Sequence, residues 1–415
     1  MTTSFLHGVE TIEQQNAIRP VPLSQTSAIF IVGTAPDADP AVFPLNTCVL
    51  LSSQPTKAAS LGHAGTLSGA ILQVYSEAGA QVIVVRVADV LEGPTNPPVG
   101  APAFAPGTLA QQMALIIGDP LLKTGVYAAY TAIAQTGVKP KTFIAPGFTS
   151  QRPNNQPNPV VAALLPIANS FRGRIYMDCP SDSQASALAA RTDWGSRRIT
   201  CFYPACLVWD NVAAAYVPRP QSPSQAGLTT RVHNDLGFWY SSSNQLFNGI
   251  GGVSTPVYYA DGDPNSDANL LNGNDVNTMI NRGGGWLRWG NRTCATDPLW
   301  TFEAVGNTAD AIYDALEVEE QWMVDKPFSK QLLIDGAESI NRFMRYLVKI
   351  GALVGGSCWL DPELNTAQQL QQGIFAWSID FEPPAPLEHV QIFATRNGDY
   401  YTEVVKSIAA SIQGA

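Results

Sequence analysis

Short apolar runs, each closed by glycine or proline, alternate with segments of helical periodicity in the first half of the chain. AIFIVGTAP (28–36) and VIVVRVAD (82–89) are typical of buried strands. Between them, one helical face carries Leu67, Ile71, Val74 and Ala78. Three later runs, KTFIAPG, GRIYMDCP and RITCFYPA, are separated by segments that fit helices, NPVVAALLPIANSF and SDSQASALAARTDWGS. This alternation predicts an α/β (α+β) fold with a parallel sheet flanked by helices.

The same patterns divide the chain into segments. Residues 93–107 contain five prolines and three glycines without periodicity, which predicts a linker at a domain boundary. The chain from 218 onward is turn-rich and polar. The predicted segments are an N-terminal arm (1–20), a small α/β domain (21–92), a Pro/Gly-rich linker (93–110), an α/β core domain (111–300), a C-terminal domain (301–386) and a C-terminal strand or arm (387–415).

Three consecutive glycines stand among two tryptophans and three arginines in INRGGGWLRWGNRT (280–293). A phosphate-binding loop needs a strand before its glycines and a lysine with a hydroxyl residue after them, and we expect neither here. We therefore predict a tight turn followed by a strand. Its two faces would carry Trp286 with Arg288 and Leu287 with Trp289.

An amphipathic helix is predicted over 337–350. Its apolar face carries Ile340, Phe343, Leu347 and Ile350. Arg342, Arg345 and Lys349 lie off that face and form a basic cluster in an otherwise acidic chain. Beyond it, residues from Leu387 alternate like a strand with little apolar mass, as do residues 1–20, so each segment is marginal alone and needs a sheet edge to join.

Composition and charge exclude several classes of protein. At 415 residues the chain favours two or three domains, and no apolar run approaches the roughly 18 residues of a membrane span. The N-terminus lacks the pattern of a secretory signal, so we expect a soluble chain made and kept in a cytoplasm. With 34 acidic against 24 basic residues, a net charge of −10 argues against nucleic-acid binding and favours protein partners.

No catalytic, metal or cofactor site is predicted. The cysteines have no C-x-x-C spacing and are expected to be small buried hydrophobes. They are Cys48, Cys179, Cys201, Cys206, Cys294 and Cys358. The four histidines (His7, His63, His233 and His389) accompany no G-x-S-x-G motif. The acidic pairs Glu319–Glu320 and Asp261–Asp263 fit a solvated helix face and a polar loop better than an acid–base site.

Six groups of residues form a colinear pattern along nearly the whole chain. They are GVETIE, FPLNTCVLLSS with AASLGHAGTL, VIVVRV, AGLTTRVHNDLGFWYSSSNQLFNGI, LNGNDVNTMINRGGGWLRWGNRT and GSCWLDPELNT. In order and spacing they resemble contractile-tail sheath proteins, especially the short sheaths of P2-like phages and R-type pyocins. One departure is the acidic stretch LWTFEAVGNTADAIYDALEVEEQW, and the contacts of 303–325 are not predicted.

The resemblance implies a structural protein without catalysis that polymerises as stacked hexameric rings around a tail tube. Such a sheath contracts and drives the tube through a target envelope, using two alternative packings of the same subunits. Implied partners are further copies of the chain, the tail tube protein, and baseplate and tail terminator proteins, without nucleic acid or membrane insertion. The implied location is the virion tail, after assembly in the host cytoplasm, and the core is expected to be subtilisin-like in architecture only.

Two surfaces follow for such an assembly. Segment 301–386 is expected to face the tube, with Arg342, Arg345 and Lys349 as the tube contact. The termini are expected to add strands to neighbouring subunits. The arm residues are Gly8, Val9, Glu10, Thr11 and Ile12 at the N-terminus, and Val390, Gln391, Ile392 and Phe393 at the C-terminus.

Two other classes of function remain open from the residues alone. A cytosolic α/β enzyme or a nucleotide- or sugar-binding protein would use the glycine-rich stretch and the loop at 261–267. It would act as a small oligomer and show a ligand-dependent melting shift. The other class is a self-assembling shell or tube protein outside tails. A sheath would instead form long hollow cylinders.

Overall fold

The computed structural model describes residues 26–92 and 105–414. The strands are β1 Ile29–Thr34, β2 Cys48–Ser52, β3 Gln81–Val87, β4 Thr142–Ile144, β5 Arg174–Asp178, β6 Ile199–Phe202, β7 Cys206–Asp210, β8 Ala215–Arg219, β9 Ile250–Val253, β10 Val276–Arg282, β11 Gly285–Trp289, β12 Gly355–Trp359 and β13 Ser378–Glu382. The helices are α1 Pro55–Ala59, α2 Leu67–Glu77, α3 Leu109–Ile117, α4 Ala132–Thr136, α5 Pro159–Phe171, α6 Gln184–Thr192, α7 Ser222–Asp235, α8 Asp267–Gly273, α9 Glu303–Glu319, α10 Lys330–Lys349, α11 Ala367–Gln371 and α12 Asp399–Gln413. Short 3-10 turns occupy Gly125–Thr131, Pro153–Asn155, Pro298–Trp300 and Glu320–Met323.

Eight strands form one sheet in the order β11-β10-β6-β5-β4-β1-β3-β2. The six inner strands run parallel, whereas β2 and β11 pair antiparallel at the two edges. Helices cover both faces, so β1 and β3 are buried along almost their whole length, which explains their continuous apolar sequence. The predicted α/β fold with a parallel sheet is confirmed.

The predicted small domain at 21–92 is not a separate unit. Strand β1 pairs with β3 on one side and with β4 on the other, so this segment shares its sheet with the predicted core domain at 111–300. A buried apolar run does not reveal which strand lies beside it, so the domain boundary predicted at the proline-rich segment is wrong. Of the predicted linker 93–110, residues 93–104 lie outside the described residues, and α3 begins at Leu109.

The sheet separates two apolar cores. Alternate residues of β1 enter opposite cores: Ile29 and Ile31 face α2, whereas Phe30 and Val32 face α3 and α5. The predicted face of α2 is confirmed for Leu67, Ile71 and Val74, but the helix ends at Glu77, before Ala78. The predicted strands β4, β5 and β6 and the predicted helices α5 and α6 are also present.

Helix α7 lies in a stretch whose sequence showed only turn-rich polarity. It is buried on most sides although it consists largely of small and polar residues. It packs closely on α2, since a Cβ at Gly227 would lie 2.7 Å from the carbonyl oxygen of Val74. Close helix approach selects small residues and leaves little apolar periodicity, so the sequence pattern does not predict this helix.

Helices α9 and α10 pack with the two-stranded antiparallel sheet of β12 and β13 around a separate apolar core. On α10 the predicted apolar residues Ile340, Phe343 and Leu347 are buried, and Ile350 is partly buried. The limits 301–386 of a C-terminal domain remain a prediction. A three-stranded antiparallel sheet, β8-β7-β9, completes the body.

Residues 386–414 form a unit distinct from the preceding part of the chain. The stretch 386–397 has no helix or strand, and 399–413 form helix α12. The prediction of strand character as far as residue 415 is therefore wrong for 399–413. Apolar residues there recur at helical spacing, at Tyr400, Tyr401, Val404, Val405, Ile408 and Ile412.

Candidate assembly surfaces

The triple glycine forms a turn. Gly283 and Gly284 have φ of +64° and +90° and connect the antiparallel strands β10 and β11. A strand does precede the glycines, contrary to expectation, but no lysine with a hydroxyl residue follows them. The two predicted faces of β11 are confirmed, because Trp286 packs in one apolar cluster while Leu287 and Trp289 pack in another.

Arg288 is only 1% exposed, and Glu303 at the start of α9 neutralises it. Glu303 also accepts a hydrogen bond from Tyr176 Oη and lies 3.6 Å from Arg174 Nη1. The Arg288 guanidinium stacks 5.1 Å from the ring centroid of Phe202. Burial alone would raise the pKa of Glu303, but Arg288 and Arg174 hold it below its ordinary value. The carboxylate is thus charged and joins β11, β5 and α9.

The remaining acids of α9 continue this buried charge network. Asp310 pairs with Arg198 and lies 3.6 Å from Arg197 Nη2. Asp314 receives Lys139 Nζ at 2.8 Å and also pairs with Lys141. The α9 ion-pair cluster consists of Glu303, Asp310, Asp314 and Glu317 with Lys139, Lys141, Arg172, Arg174, Arg197, Arg198 and Arg288.

The opposite side of α9 is apolar and faces α10. Ala311, Ile312 and Ala315 are buried in the core shared with α10, β12 and β13. Helix α9 therefore contacts the eight-stranded sheet through ion pairs, and it contacts α10, β12 and β13 through apolar side chains. Burial alone would raise the pKa of Asp314, but Lys141 and Lys139 lower it, and the net shift is downward. Burial lowers the pKa of Lys141 to about 8. Both members of the pair are charged at neutral pH.

The buried acids of the acidic segment 303–325 form ion pairs with basic side chains of the same chain. Glu319 and Glu320 are also less solvated than predicted, since Glu319 accepts from Ser339 and Glu320 from the Trp377 indole. The sequence does contain a signal for the cluster. Its acids stand at i, i+7, i+11 and i+14, which is one helical face.

The predicted basic face of α10 is exposed. Arg342, Arg345 and Lys349 point to solvent, and none forms an ion pair within the described residues. The amino-terminal half of the same face carries exposed Asp335 and Glu338. The helix therefore presents an acidic half and a basic half. Contact between the basic half and a tail tube stays a prediction.

Strand β13 has an open edge. The Asn341 amide binds both the N–H and the carbonyl of Cys358 at 2.9 Å, so these groups point away from β13. Cys358 is opposite Ile379 in the register, and the backbone groups of Ile379 therefore face the outer side of β13. No hydrogen bond reaches them from the residues that the structure describes. The edges of β2 and β11 are instead partly covered, by Gln135 and by residues 244–247.

The role of the predicted arm residues stays a prediction. Gly8, Val9, Glu10, Thr11 and Ile12 lie outside the described residues. At the other end, Val390, Ile392 and Phe393 are 69%, 88% and 90% exposed, and Gln391 is exposed as well. Three of these four consecutive side chains are apolar, and they leave apolar surface for another chain to cover.

The parallel strands end at a cavity of about 150 Å³. In an α/β enzyme with a parallel sheet, the substrate binds at this end of the strands. The buried Asp178 borders it, but its carboxylate accepts from the Ser222 N–H at 2.8 Å and from the Ser222 hydroxyl at 2.5 Å. Burial raises the pKa of Asp178 to about 6. The carboxylate anchors the start of α7, and none of the histidines that the structure describes lines the cavity.

His233 is buried elsewhere. Its Nδ1 lies 3.3 Å from the hydroxyl of Thr26, and burial lowers its pKa to about 3. All six cysteines are free and buried, as predicted. Within 26–92 and 105–414, no three His, Cys, Asp or Glu side chains form a metal-binding group. In these same ranges no helix has the length and apolarity of a membrane span.

Comparison with known proteins agrees with this organisation. The chain is 32% identical over 97% of its length to a putative prophage major tail sheath protein of Pseudomonas aeruginosa (strain UCBPP-PA14), of which it covers 99%. It is 29% identical over 98% of its length to the tail sheath protein of Escherichia phage P2, again covering 99% of that protein. The phage tail sheath C-terminal domain family matches residues 295–395. The chain therefore belongs to the tail sheath protein family, and the resemblance seen in its sequence is confirmed.

Solved structures show the same fold. The contracted sheath complex of the PVC extracellular contractile injection system superposes with a TM-score of 0.67 at 15% identity, covering 96% of this chain and 100% of that chain. The contracted helical sheath of the anti-feeding prophage gives a TM-score of 0.67 at 18% identity, covering 95% and 100%.

Proposed function

We propose that this chain is the repeating subunit of a contractile tail sheath, which stacks as hexameric rings around a tail tube. Contraction of the sheath drives the tube through a target envelope, and the subunit catalyses no reaction. The observation that carries this proposal is the similarity to tail sheath proteins over the whole chain. Its partners are further copies, the tube protein, and baseplate and tail terminator proteins. The subunit assembles in the host cytoplasm and ends in the virion tail.

Strand exchange links the subunits in this proposal. The open edge of β13 receives a terminal arm of one neighbour, and the arm of a second neighbour adds to the outer side of the first. The exposed backbone groups of Ile379 supply hydrogen bonds, and a two-stranded sheet gains the further strands that it needs for stability. The apolar side chains of 390–393 are buried in the same step.

The basic half of α10 contacts the tube. The exposed side chains of Arg342, Arg345 and Lys349 have no carboxylate partner within the described part of the chain. Each exposed charge pair contributes about 0–1 kcal/mol, and repetition along the tube sets the register while keeping the contact reversible. The tube surface opposite must therefore be acidic.

Deletion of residues 2–16 tests the arms. We expect the shortened protein to fold as a soluble monomer and to form no cylinders in negative-stain electron microscopy, whereas the full chain forms hollow cylinders. Circular dichroism and thermal melting check that the shortened protein is folded. Cylinders of normal length from the shortened protein would contradict the exchange of N-terminal arms.

A further inference from the structure

Helix α12 has an apolar face that none of the described residues covers. Fifteen residues extend over about 22 Å, and none of them is buried. The exposed apolar side chains are Tyr400 (72%), Tyr401 (71%), Val404 (53%), Val405 (65%), Ile408 (51%) and Ile412 (72%). An isolated helix of this length is marginal in water, because most helical stability comes from packing an apolar face. A partner must therefore cover it in the working state.

The opposite face of α12 indicates the class of partner. It carries Asp399, Glu403 and a single Lys406, which is bound to Glu403 at 2.9 Å. A helix that lies on an anionic membrane is rich in lysine and arginine on its polar face. The charges of α12 therefore favour a protein surface.

The connection to the arm limits which protein surface α12 can reach. Only residues 394–398 separate Phe393 from the start of the helix, a span of at most about 20 Å. In the proposed assembly Phe393 lies on the sheet of a neighbouring subunit. The inference rests on that proposed function, and it places α12 on the same neighbour, beside one end of its β12–β13 sheet.

The two ends of this sheet differ in apolar exposure. The end formed by Trp359 and Ser378 is flanked by Leu360, Leu364 and Ile374, exposed by 41%, 50% and 52%. Of the residues directly flanking the other end, 351–354 and 383–386, Val354 is the one exposed large apolar residue. We call Leu360, Leu364 and Ile374 the end patch.

The end patch is held in place before any partner arrives. The side-chain amide of Asn365 binds both the N–H and the carbonyl of Ala376 at 2.9 Å, which fixes the segment of Leu364 against that of Ile374. A capping box between Thr366 and Gln369 begins helix α11 between them. A preformed apolar surface of this kind costs little ordering entropy on binding.

We propose that α12 docks through its apolar face on the end patch of the neighbouring subunit. The C-terminal arm then runs antiparallel to β13, because only that direction delivers the chain to the end near Ser378. The docking commits each C-terminus to one neighbour and adds an apolar contact to the strand pairing. The order along the chain is arm strand, short connection and helix.

Disulfide trapping between two singly substituted proteins tests the contact. One subunit carries Ile408→Cys and the other Ile374→Cys, and the two are mixed, assembled into cylinders and oxidised with copper phenanthroline. The native cysteines are buried and give a low background. We expect a covalent dimer on a non-reducing gel from the mixture and not from either protein alone. Replacing Ile408→Cys by Lys406→Cys, on the opposite face of α12, should remove the dimer.

Two outcomes from assembled cylinders would contradict the docking. A dimer of Ile408→Cys with Val354→Cys in place of Ile374→Cys would show that the arm runs parallel to β13. Cylinders that yield no dimer would overturn the docking and leave the proposed function intact. Failure of the unsubstituted protein to form cylinders would overturn the proposed function itself. If Ile374→Cys does not assemble, Leu364→Cys takes its place with the same expectations.

Discussion

At the residue scale, Arg288 and Glu303 form a buried ion pair, with side chains 1% and 7% exposed. The sequence predicted the strand and the face of Arg288, but it could not predict that a carboxylate fifteen residues later would meet it. An arginine that alternates with apolar residues is equally compatible with an exposed edge and a buried pair. Glu303 is needed to neutralise the Arg288 guanidinium, and only the folded sheet brings the two side chains together.

Replacing Arg288 with Met leaves Glu303 buried without its main partner. We expect the free energy of unfolding to fall by about 3–5 kcal/mol, and the double variant R288M/E303Q to lose less than the sum of the two single changes. Urea unfolding followed by tryptophan fluorescence measures both. The control is Arg282→Met, which removes the exposed ion pair between Arg282 Nη2 and Asp261 Oδ2, 3.4 Å apart. This change should lower the free energy of unfolding by about 0–1 kcal/mol. Additive losses at 288 and 303 would mean that the two residues are not coupled.

His233 should make the protein less stable in mild acid. Burial lowers its pKa from 6.5 to about 3, with Arg174 acting in the same direction, Arg288 adding to it and Glu303 opposing it. Below pH 6.5 the unfolded chain binds a proton that the folded chain does not, so stability falls as the pH drops from 6.5 towards 3. The free energy of unfolding, relative to His233→Asn, should decrease by up to about 1.4 kcal/mol per pH unit. Other acidic groups titrate in both proteins, so their effects cancel in the difference between the two free energies. Parallel curves of unfolding free energy against pH for the two proteins would contradict the lowered pKa of His233.

At the scale of elements, the α9 ion-pair cluster shows what a sequence reveals only in part. The bases occur in pairs at the amino ends of successive parallel strands: Lys139 and Lys141 at β4, Arg172 and Arg174 at β5, and Arg197 and Arg198 at β6. Parallel strands bring these ends to one edge of the sheet, and the acids of α9 share one helical face. Both patterns are visible in the sequence. Their pairing is not, because the helix lies more than a hundred residues beyond β4 and β5.

Helix α10 was predicted more fully, since its apolar spacing defines the buried face and leaves the charges exposed. Reversing Arg342, Arg345 and Lys349 to Glu should abolish co-assembly with the tube. Cylinders of sheath alone should still form, because they depend on the arms. The matched control, D335K/E338K, reverses the acidic half of the same face and should co-assemble normally. Co-sedimentation with purified tube protein measures the effect, and decoration of tubes by the triple variant at the level of the unsubstituted protein would show that this face points elsewhere.

At the scale of the whole molecule, apolar patterns predicted the fold class, and colinear motifs predicted the family. Domain limits were less accessible: segment 21–92 has its own strand–helix–strand pattern yet contributes three strands to a larger sheet. The apolar periodicity of a strand or helix shows which of its faces is buried, but it does not show which element packs beside it. For the same reason the sequence of β13 does not show that its outer edge is open, whereas Asn341 binds the outer edge of β12.

Electron microscopy of a proline variant at this edge tests the central claim, assembly by strand addition to β13. The N–H of Ile379 faces away from β12, so Ile379→Pro removes a donor that binds no acceptor among the described residues. The control Ile379→Ala keeps the N–H and shortens the side chain. Circular dichroism checks that both variants are folded. We predict hollow cylinders from the unsubstituted protein and from Ile379→Ala, and folded subunits without cylinders from Ile379→Pro; abundant cylinders from Ile379→Pro would contradict the account.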